Sequence, residues 1–279
     1  MTEKEKEACL CCKPKRIQSP SSINTYKQCP RKYYYQYIQK LATLPSIHLV
    51  RGNIAHSVLE NFYDLDLPSQ DHERYFKTAI QRLLLFYWQK EKQRLDQLNL
   101  NSDQIKFYFE ETMLMLMNWL DQFLVDLNKE ISSGSSLAEA FQKLTPIRER
   151  KYVSDKHSVQ GFIDAIHHLE DEVHIVDYKT NANFEFKDSI KLQLAIYSLL
   201  YQEKHGKAPS KVGIFFLRHK LKLIAVDEEL LELARREINL VHQHTQSEEI
   251  EDYPCQTSPL CRWSSGQCDF YDVCKPNNK

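Results

Sequence analysis

The chain has no apolar run approaching the roughly 20 residues that a membrane-spanning helix needs. Its opening, MTEKEKEACLCC, is charged where a secretion signal would carry a long apolar centre. A cytoplasmic protein without a membrane anchor is expected. No G-x-x-x-x-G-K-[ST] phosphate loop occurs, so any unwinding of a duplex would need a partner. There is no internal repeat and no low-complexity tract. Neither charge is in excess, with 37 Lys and Arg against 38 Asp and Glu. The bulk basicity common among nucleic-acid binders is missing, which leaves a local basic patch open.

What is present is ordinary globular composition, 42% hydrophobic and 27% charged over 279 residues. That is enough for a sizeable core in one compact unit with appendages. Eight cysteines in a reducing compartment point to thiols or metal ligands rather than disulfides. Residues 1–20 read as a flexible tail. Cys9, Cys11 and Cys12 within it are dense enough for a metal, although such a tail is more often unstructured.

A first helix is predicted from near Ser21 or Ser22, capped by serine and interrupted at Pro30. A second starts near Gly52, with Ile54, Val58, Leu59 and Phe62 on one stripe and His56 and Glu60, four apart, on another. Two long helical patterns, about 73–98 and 103–129, contain no Gly or Pro. They form a helical insertion over about 68–136, closed by the loop-like ISSGSS. From Pro146 the pattern changes to three strands, RERKYVSD, SVQGFIDAIHHL and EVHIVDYKT, in an antiparallel meander. DSIKLQLAIYSLLYQEKHG reads as a buried helix ending at Gly206. KVGIFFLR and LKLIAVD follow as a strand and its hairpin partner, and a last helix over about 228–246 leads to a tail with four cysteines.

The second hairpin carries the chemistry. Pairing centred on a turn at Glu170 and Asp171 sets Asp164 opposite Asp177, and two carboxylates opposed across a ladder destabilise each other. A divalent cation with oxygen ligands would relieve them. Period-two geometry places Lys179 on the face of Asp177, where it could orient a water or neutralise charge on a phosphate. Alone, an acid-x-lysine at a strand end is more often a solvated arrangement. On the next helix Gln193 and Tyr197 lie four apart on one face, and a glutamine in an otherwise apolar helix needs a partner.

In this order and at these separations, GNIAHSVLE, GFIDAI, VDYKT and QLAIYSLL resemble the PD-(D/E)XK nuclease superfamily, in particular its RecB-like branch. That branch includes the AddB nuclease domain and the CRISPR-adaptation nucleases. The resemblance implies an α/β fold of restriction-endonuclease type, with a mixed central sheet flanked by helices, over residues 21–279. It implies Mg²⁺- or Mn²⁺-dependent hydrolysis of DNA, by an exonuclease or end- and flap-processing enzyme on single-stranded ends in repair or recombination. Asp164 and Asp177 would hold the metal, with His56 and the carbonyl of Tyr178 as further ligands. Lys179 would position the attacking water, Gln193 would orient Lys179 or the phosphate, and Tyr197 would complete the site or belong to the core. A helicase or an integrase is the implied partner. A CRISPR-adaptation nuclease and a non-catalytic DNA-binding subunit are the alternatives.

In the resembling family one cysteine of an early C-P-R-K segment joins three near the C-terminus around a four-iron, four-sulfur cluster. Cys29 matches the early one, and Cys261, Cys268 and Cys274 the later three, stapling the first helix to the tail. The gap between Cys261 and Cys268 is longer than the family's, which makes Cys255 a substitute ligand, and zinc is the alternative cofactor. Arg31 and Lys32 interleave with Tyr33, Tyr34, Tyr35 and Tyr37 as in single-strand binders, or the tyrosines pack beneath the cluster. Arg148, Arg150, Lys151 and Arg218 line a groove to phosphates or belong to a solvated face.

Overall fold

The computed structural model describes residues 16–181, 184–263 and 266–274; Cys9, Cys11 and Cys12 lie outside them. Ser19 caps the first helix, α1 (Pro20–Gln28), through a reciprocal box with Ser22. Pro20 occupies the first turn, where its missing N–H would have no intrahelical partner anyway. Ahead of it Gln18 is fully buried and donates to the Tyr33 hydroxyl at 2.8 Å, so the chain is already packed before residue 20. α1 stops at Cys29, which is extended because Pro30 follows. α2 (Pro30–Tyr33) resumes the path and widens into a π turn, Tyr34–Ile38.

The second helix, α3 (Ile47–Phe62), begins five residues before Gly52. Burial of Ile47, Val50 and Arg51 extends it past the glycine that sequence reading takes as its start. α4 (His72–Lys90), α5 (Lys92–Asp96) and α6 (Ser102–Ser132) form the long helical segment. The loop-like ISSGSS contains a helix start as well: Ser136 and Glu139 form a capping box for α7 (Leu137–Leu144).

Five strands make one mixed sheet in the order β1 (Ile147–Ser154), β2 (Val159–Leu169), β3 (Glu172–Lys179), β4 (Lys211–Phe216), β5 (Leu221–Ala225). The first three are antiparallel. β3 and β4 are parallel, joined by α8 (Asp188–His205), and β5 returns antiparallel. Each face buries its own core. One packs Phe62, Phe76, Trp119, Phe123 and Phe141 from α3, α4, α6 and α7. The other packs Ile163, Ile175 and Ile214 under α1, α8 and α9 (Glu228–His244). A single helical turn, Ile250–Asp252, leads to the tail. There β6 (Arg262–Trp263) pairs antiparallel with β7 (Gly266–Gln267), and α10 (Tyr271–Cys274) closes the described chain. Among the described residues no helix is long and apolar enough to cross a membrane.

The tyrosine run from the end of α2 into the π turn is core. Tyr33, Tyr34 and Tyr35 are buried with Tyr253 and Phe270, so they are packed structure rather than platforms for bases. Arg31 donates to the Tyr253 carbonyl at 2.7 Å, and Lys32 lies 3.9 Å from Asp269.

Candidate active site

The β2–β3 register follows the turn at Glu170 and Asp171, with Leu169 opposite Glu172 and Ala165 opposite Val176. The bonded ladder ends there, one step short of the two acids, while on its other edge β3 stays paired with β4, Asp177 opposite Ile214. Asp164 and Asp177 are therefore neighbours rather than a bonded ladder pair. Asp164 Oδ2 accepts the Tyr178 N–H at 2.8 Å.

Asp177 is almost fully buried. Its Oδ1 accepts from Gln193 Nε2 at 2.8 Å, and that amide also reaches the Tyr197 hydroxyl at 2.9 Å. Oδ2 lies 2.8 Å from Lys179 Nζ yet forms no well-directed hydrogen bond. A buried carboxylate oxygen thus stands without one. Burial pushes the Asp177 pKa up to about 6, Lys179 working against the shift and Asp164 adding to it. For Lys179, burial works to lower the pKa, but the Asp177 charge outweighs it and the net shift is upward. Gln193 therefore braces Asp177, where sequence reading had aimed it at Lys179 or the phosphate. Tyr197 reaches Gln193 because β2 has Gly161 beneath it: a Cβ there would meet Tyr197 Cε1 at 2.9 Å. The glycine of GFIDAI and the tyrosine of QLAIY are parts of one contact.

His56 comes from α3. Its Nε2 lies 3.0 Å from the Tyr178 carbonyl oxygen, and its Nδ1 lies 3.4 Å from Asp164 Oδ2 and 3.7 Å from Glu149 Oε1. Burial alone would lower its pKa, but the two carboxylates raise it to about 10. Glu149 is the residue that sequence reading missed. It sits on β1 between the pairs Arg148–Ala165 and Arg150–Ile163, hence across from Asp164. Its φ of 44° is left-handed, uncommon for a non-glycine residue. Register arithmetic on the first hairpin, like that on the second, would have found it.

These groups suit a hard divalent cation. Ligands at 2.0–2.1 Å and right angles stand about 3.0 Å apart, the separation of His56 Nε2 and the Tyr178 carbonyl. Asp164 supplies a carboxylate beside them, and Asp177, whose Oδ2 is paired with Lys179 at 2.8 Å, would supply another. Among the described residues, His56, Glu149 and Asp164 form the group whose ligand atoms all lie within 4.8 Å of one another; Asp177 is drawn aside to Lys179 and Gln193. The site opens into a groove of about 530 Å³ walled by His48, Leu49, Asn53 and His56 of α3 and by Lys179 and Thr180. Of the basic residues proposed for phosphates, Arg148 is held by Asp64 and the Glu60 carbonyl, and Arg218 by Glu111. Arg150 and Lys151 are exposed on β1.

Cys29, Cys255, Cys261, Cys268 and Cys274 line one cavity beside Lys32 and Phe270, all as free thiols. Pairing of β6 with β7 loops out the long spacer: Cys268 N–H donates to the Cys261 carbonyl at 2.9 Å. Cys255 Sγ and Cys274 Sγ are 3.4 Å apart. Burial, reinforced by Cys255, pushes the Cys274 thiol up to about 12.

A mixed sheet between helices, with paired acids, an adjacent lysine and a helical histidine at one strand end, defines a class of metal-dependent phosphodiesterase folds. The family model of the PD-(D/E)XK nuclease superfamily matches residues 18–275, and the chain belongs to that superfamily. It is 28% identical over 123 residues to the CRISPR-associated exonuclease Cas4 of Francisella tularensis subsp. novicida (strain U112). That match covers 43% of this chain and spans 58% of the relative's length. The crystal structure of a putative exonuclease from Eubacterium rectale superposes with a TM-score of 0.51 at 10% identity, covering 98% of each chain. This supports the fold.

Proposed function

We propose that the protein is a Mg²⁺- or Mn²⁺-dependent deoxyribonuclease, acting as an exonuclease or end-processing enzyme on single-stranded DNA in repair or recombination. The observation that carries this is the meeting of His56, Asp164 and the Tyr178 carbonyl at the strand end where the buried Asp177 is paired with Lys179. His56, Asp164, Asp177 and Tyr178 would hold the ion, which when bound acidifies a water and screens the scissile phosphate. Lys179, kept cationic by Asp177 and part-exposed to the groove, is suited to hold the attacking water rather than to remove its proton. Gln193 and Tyr197 keep Asp177 in place from behind. Digestion of end-labelled single-stranded DNA with Mn²⁺ tests the reading: wild type should cut and Asp177→Ala should not. Equal activity in the two would remove it.

A [4Fe-4S] cluster on Cys29, Cys261, Cys268 and Cys274 belongs to the same proposal. Tetrahedral zinc with Zn–S near 2.3 Å needs sulfurs about 3.8 Å apart, and among the described residues no three of these thiols lie within 4.8 Å of one another. Four thiolates are usual for such a cluster, and the cysteines that line the cavity can supply them. Anaerobically purified protein should carry iron; stoichiometric zinc without iron would refute it. The name of the Francisella relative favours one second reading, a CRISPR-adaptation nuclease working with an integrase.

A further inference from the structure

Glu149 is not one of the four residues proposed to hold the ion, yet the fold brings its carboxylate within 4.8 Å of ligand atoms of His56 and Asp164. It lies on β1 where the ladder to β2 is broken, its backbone is left-handed, and its neighbours on either side pair normally with Ile163 and Ala165. Its one polar side-chain contact among the described residues is the 3.7 Å approach of Oε1 to His56 Nδ1. Asp164 Oδ2 is nearer that nitrogen, at 3.4 Å, but already accepts the Tyr178 N–H and is a ligand of the proposed ion. The other ring nitrogen, Nε2, faces the Tyr178 carbonyl. An ion shared by Nε2 and that carbonyl leaves the ring proton on Nδ1, pointing at the two carboxylates. With Asp164 engaged by the ion, Glu149 is the acceptor left for it.

We infer that Glu149 is a positioning residue for the nuclease metal: it accepts the Nδ1–H of His56, fixing the tautomer and ring angle that present Nε2 to the ion. Metal-bound histidines are commonly held in this way by a carboxylate on the second nitrogen, and loss of that partner weakens the metal about 10–100-fold. The register runs on unchanged past residue 149, with Arg148 opposite Ala165 and Arg150 opposite Ile163, so the unpaired step comes from the left-handed backbone of Glu149 and not from an inserted residue.

The inference rests on the metal-dependent reading above, and one experiment separates their failures. Mn²⁺ is titrated into the full-length protein and the free ion followed by electron paramagnetic resonance. Glu149→Ala should raise the Mn²⁺ Kd about 10–100-fold at unchanged stoichiometry. Glu149→Gln, whose amide oxygen still accepts from Nδ1–H, should recover most of the affinity. Adding Glu149→Ala to His56→Ala should cost little more than His56→Ala alone, because the two act through one nitrogen. A wild-type Kd in Glu149→Ala would overturn the inference. So would equal loss in the Gln and Ala variants, or a drop in stoichiometry, either of which makes Glu149 a direct ligand. Wild-type protein that binds no Mn²⁺ would sink the metal reading and this inference with it.

Discussion

At the scale of single residues, Asp177 and His56 take up protons at higher pH than free side chains do, at the place where the proposed site needs an ion. Asp177 is raised from 3.8 to about 6 and His56 from 6.5 to about 10. A group whose folded pKa is raised favours the fold below its unfolded value and ceases to do so above its folded one. The metal-free protein therefore loses stability as pH climbs through roughly 4–6 on account of Asp177, and through 6.5–10 on account of His56. An ion must displace those protons. Mn²⁺ affinity should accordingly rise about tenfold per pH unit between pH 7 and 9, where one proton leaves, and more steeply below pH 6, where two leave. The shift in thermal midpoint given by a fixed Mn²⁺ concentration should grow with pH over the same range. A pH-independent Kd would show that neither group is displaced by the ion.

At the scale of elements, the β2–α8 contact joins two motifs that are thirty-odd residues apart in sequence. Gly161→Ala would put a Cβ 2.9 Å from Tyr197 Cε1 and 3.2 Å from Leu200 Cδ1, closer than packed atoms settle. Relief must come from a shift of α8, with an overpacking cost of about 1–3 kcal/mol. Because Tyr197 holds Gln193 and Gln193 holds Asp177, nuclease activity should fall as well. Urea unfolding of the two proteins checks the first effect; an unchanged midpoint would mean that the helix yields freely. The same elements show how far the sequence could be read. Strand period and a short turn determine register, so the order of the meander and the meeting of Asp164 with Asp177 were legible. The place of Glu149 across from Asp164 follows from the same arithmetic on the first hairpin, but its left-handed backbone was not legible, because no glycine marks it. Helix starts were blurred where burial outweighed local cues, as at Ile47, and α7 was hidden because its capping serine closes a run that otherwise reads as loop. Gln193 was correctly expected to need a partner, but an apolar helix does not announce which of two facing charges it will meet.

At the scale of the whole molecule, the helical segment must be fastened to the sheet it covers, and at the groove this is done by charge. Arg51 of α3 is almost wholly buried and places Nη1 2.7 Å from Glu111 Oε2 on α6. Arg218, just after β4, grips the same carboxylate with two contacts of 2.5 and 3.0 Å and donates from Nε to the Thr180 carbonyl at 3.3 Å. One carboxylate thus ties together α3, α6 and the chain just after β3. The Glu111 pKa is lowered, first by Arg218 and then by Arg51, against burial, so the carboxylate stays ionised at neutral pH. Removing it leaves the buried guanidinium of Arg51, whose Nε already has no hydrogen bond, without its counter-charge. Breaking a buried pair from one side costs about 3–5 kcal/mol; with Glu111 part-exposed, Glu111→Ala should sit at the lower end. Glu111→Gln should lose less, since its amide oxygen can still accept from one arginine. Chemical denaturation at neutral pH measures both. A loss below about 1 kcal/mol for the alanine variant, the range of surface pairs, would show that the helices are held to the sheet by their apolar cores alone.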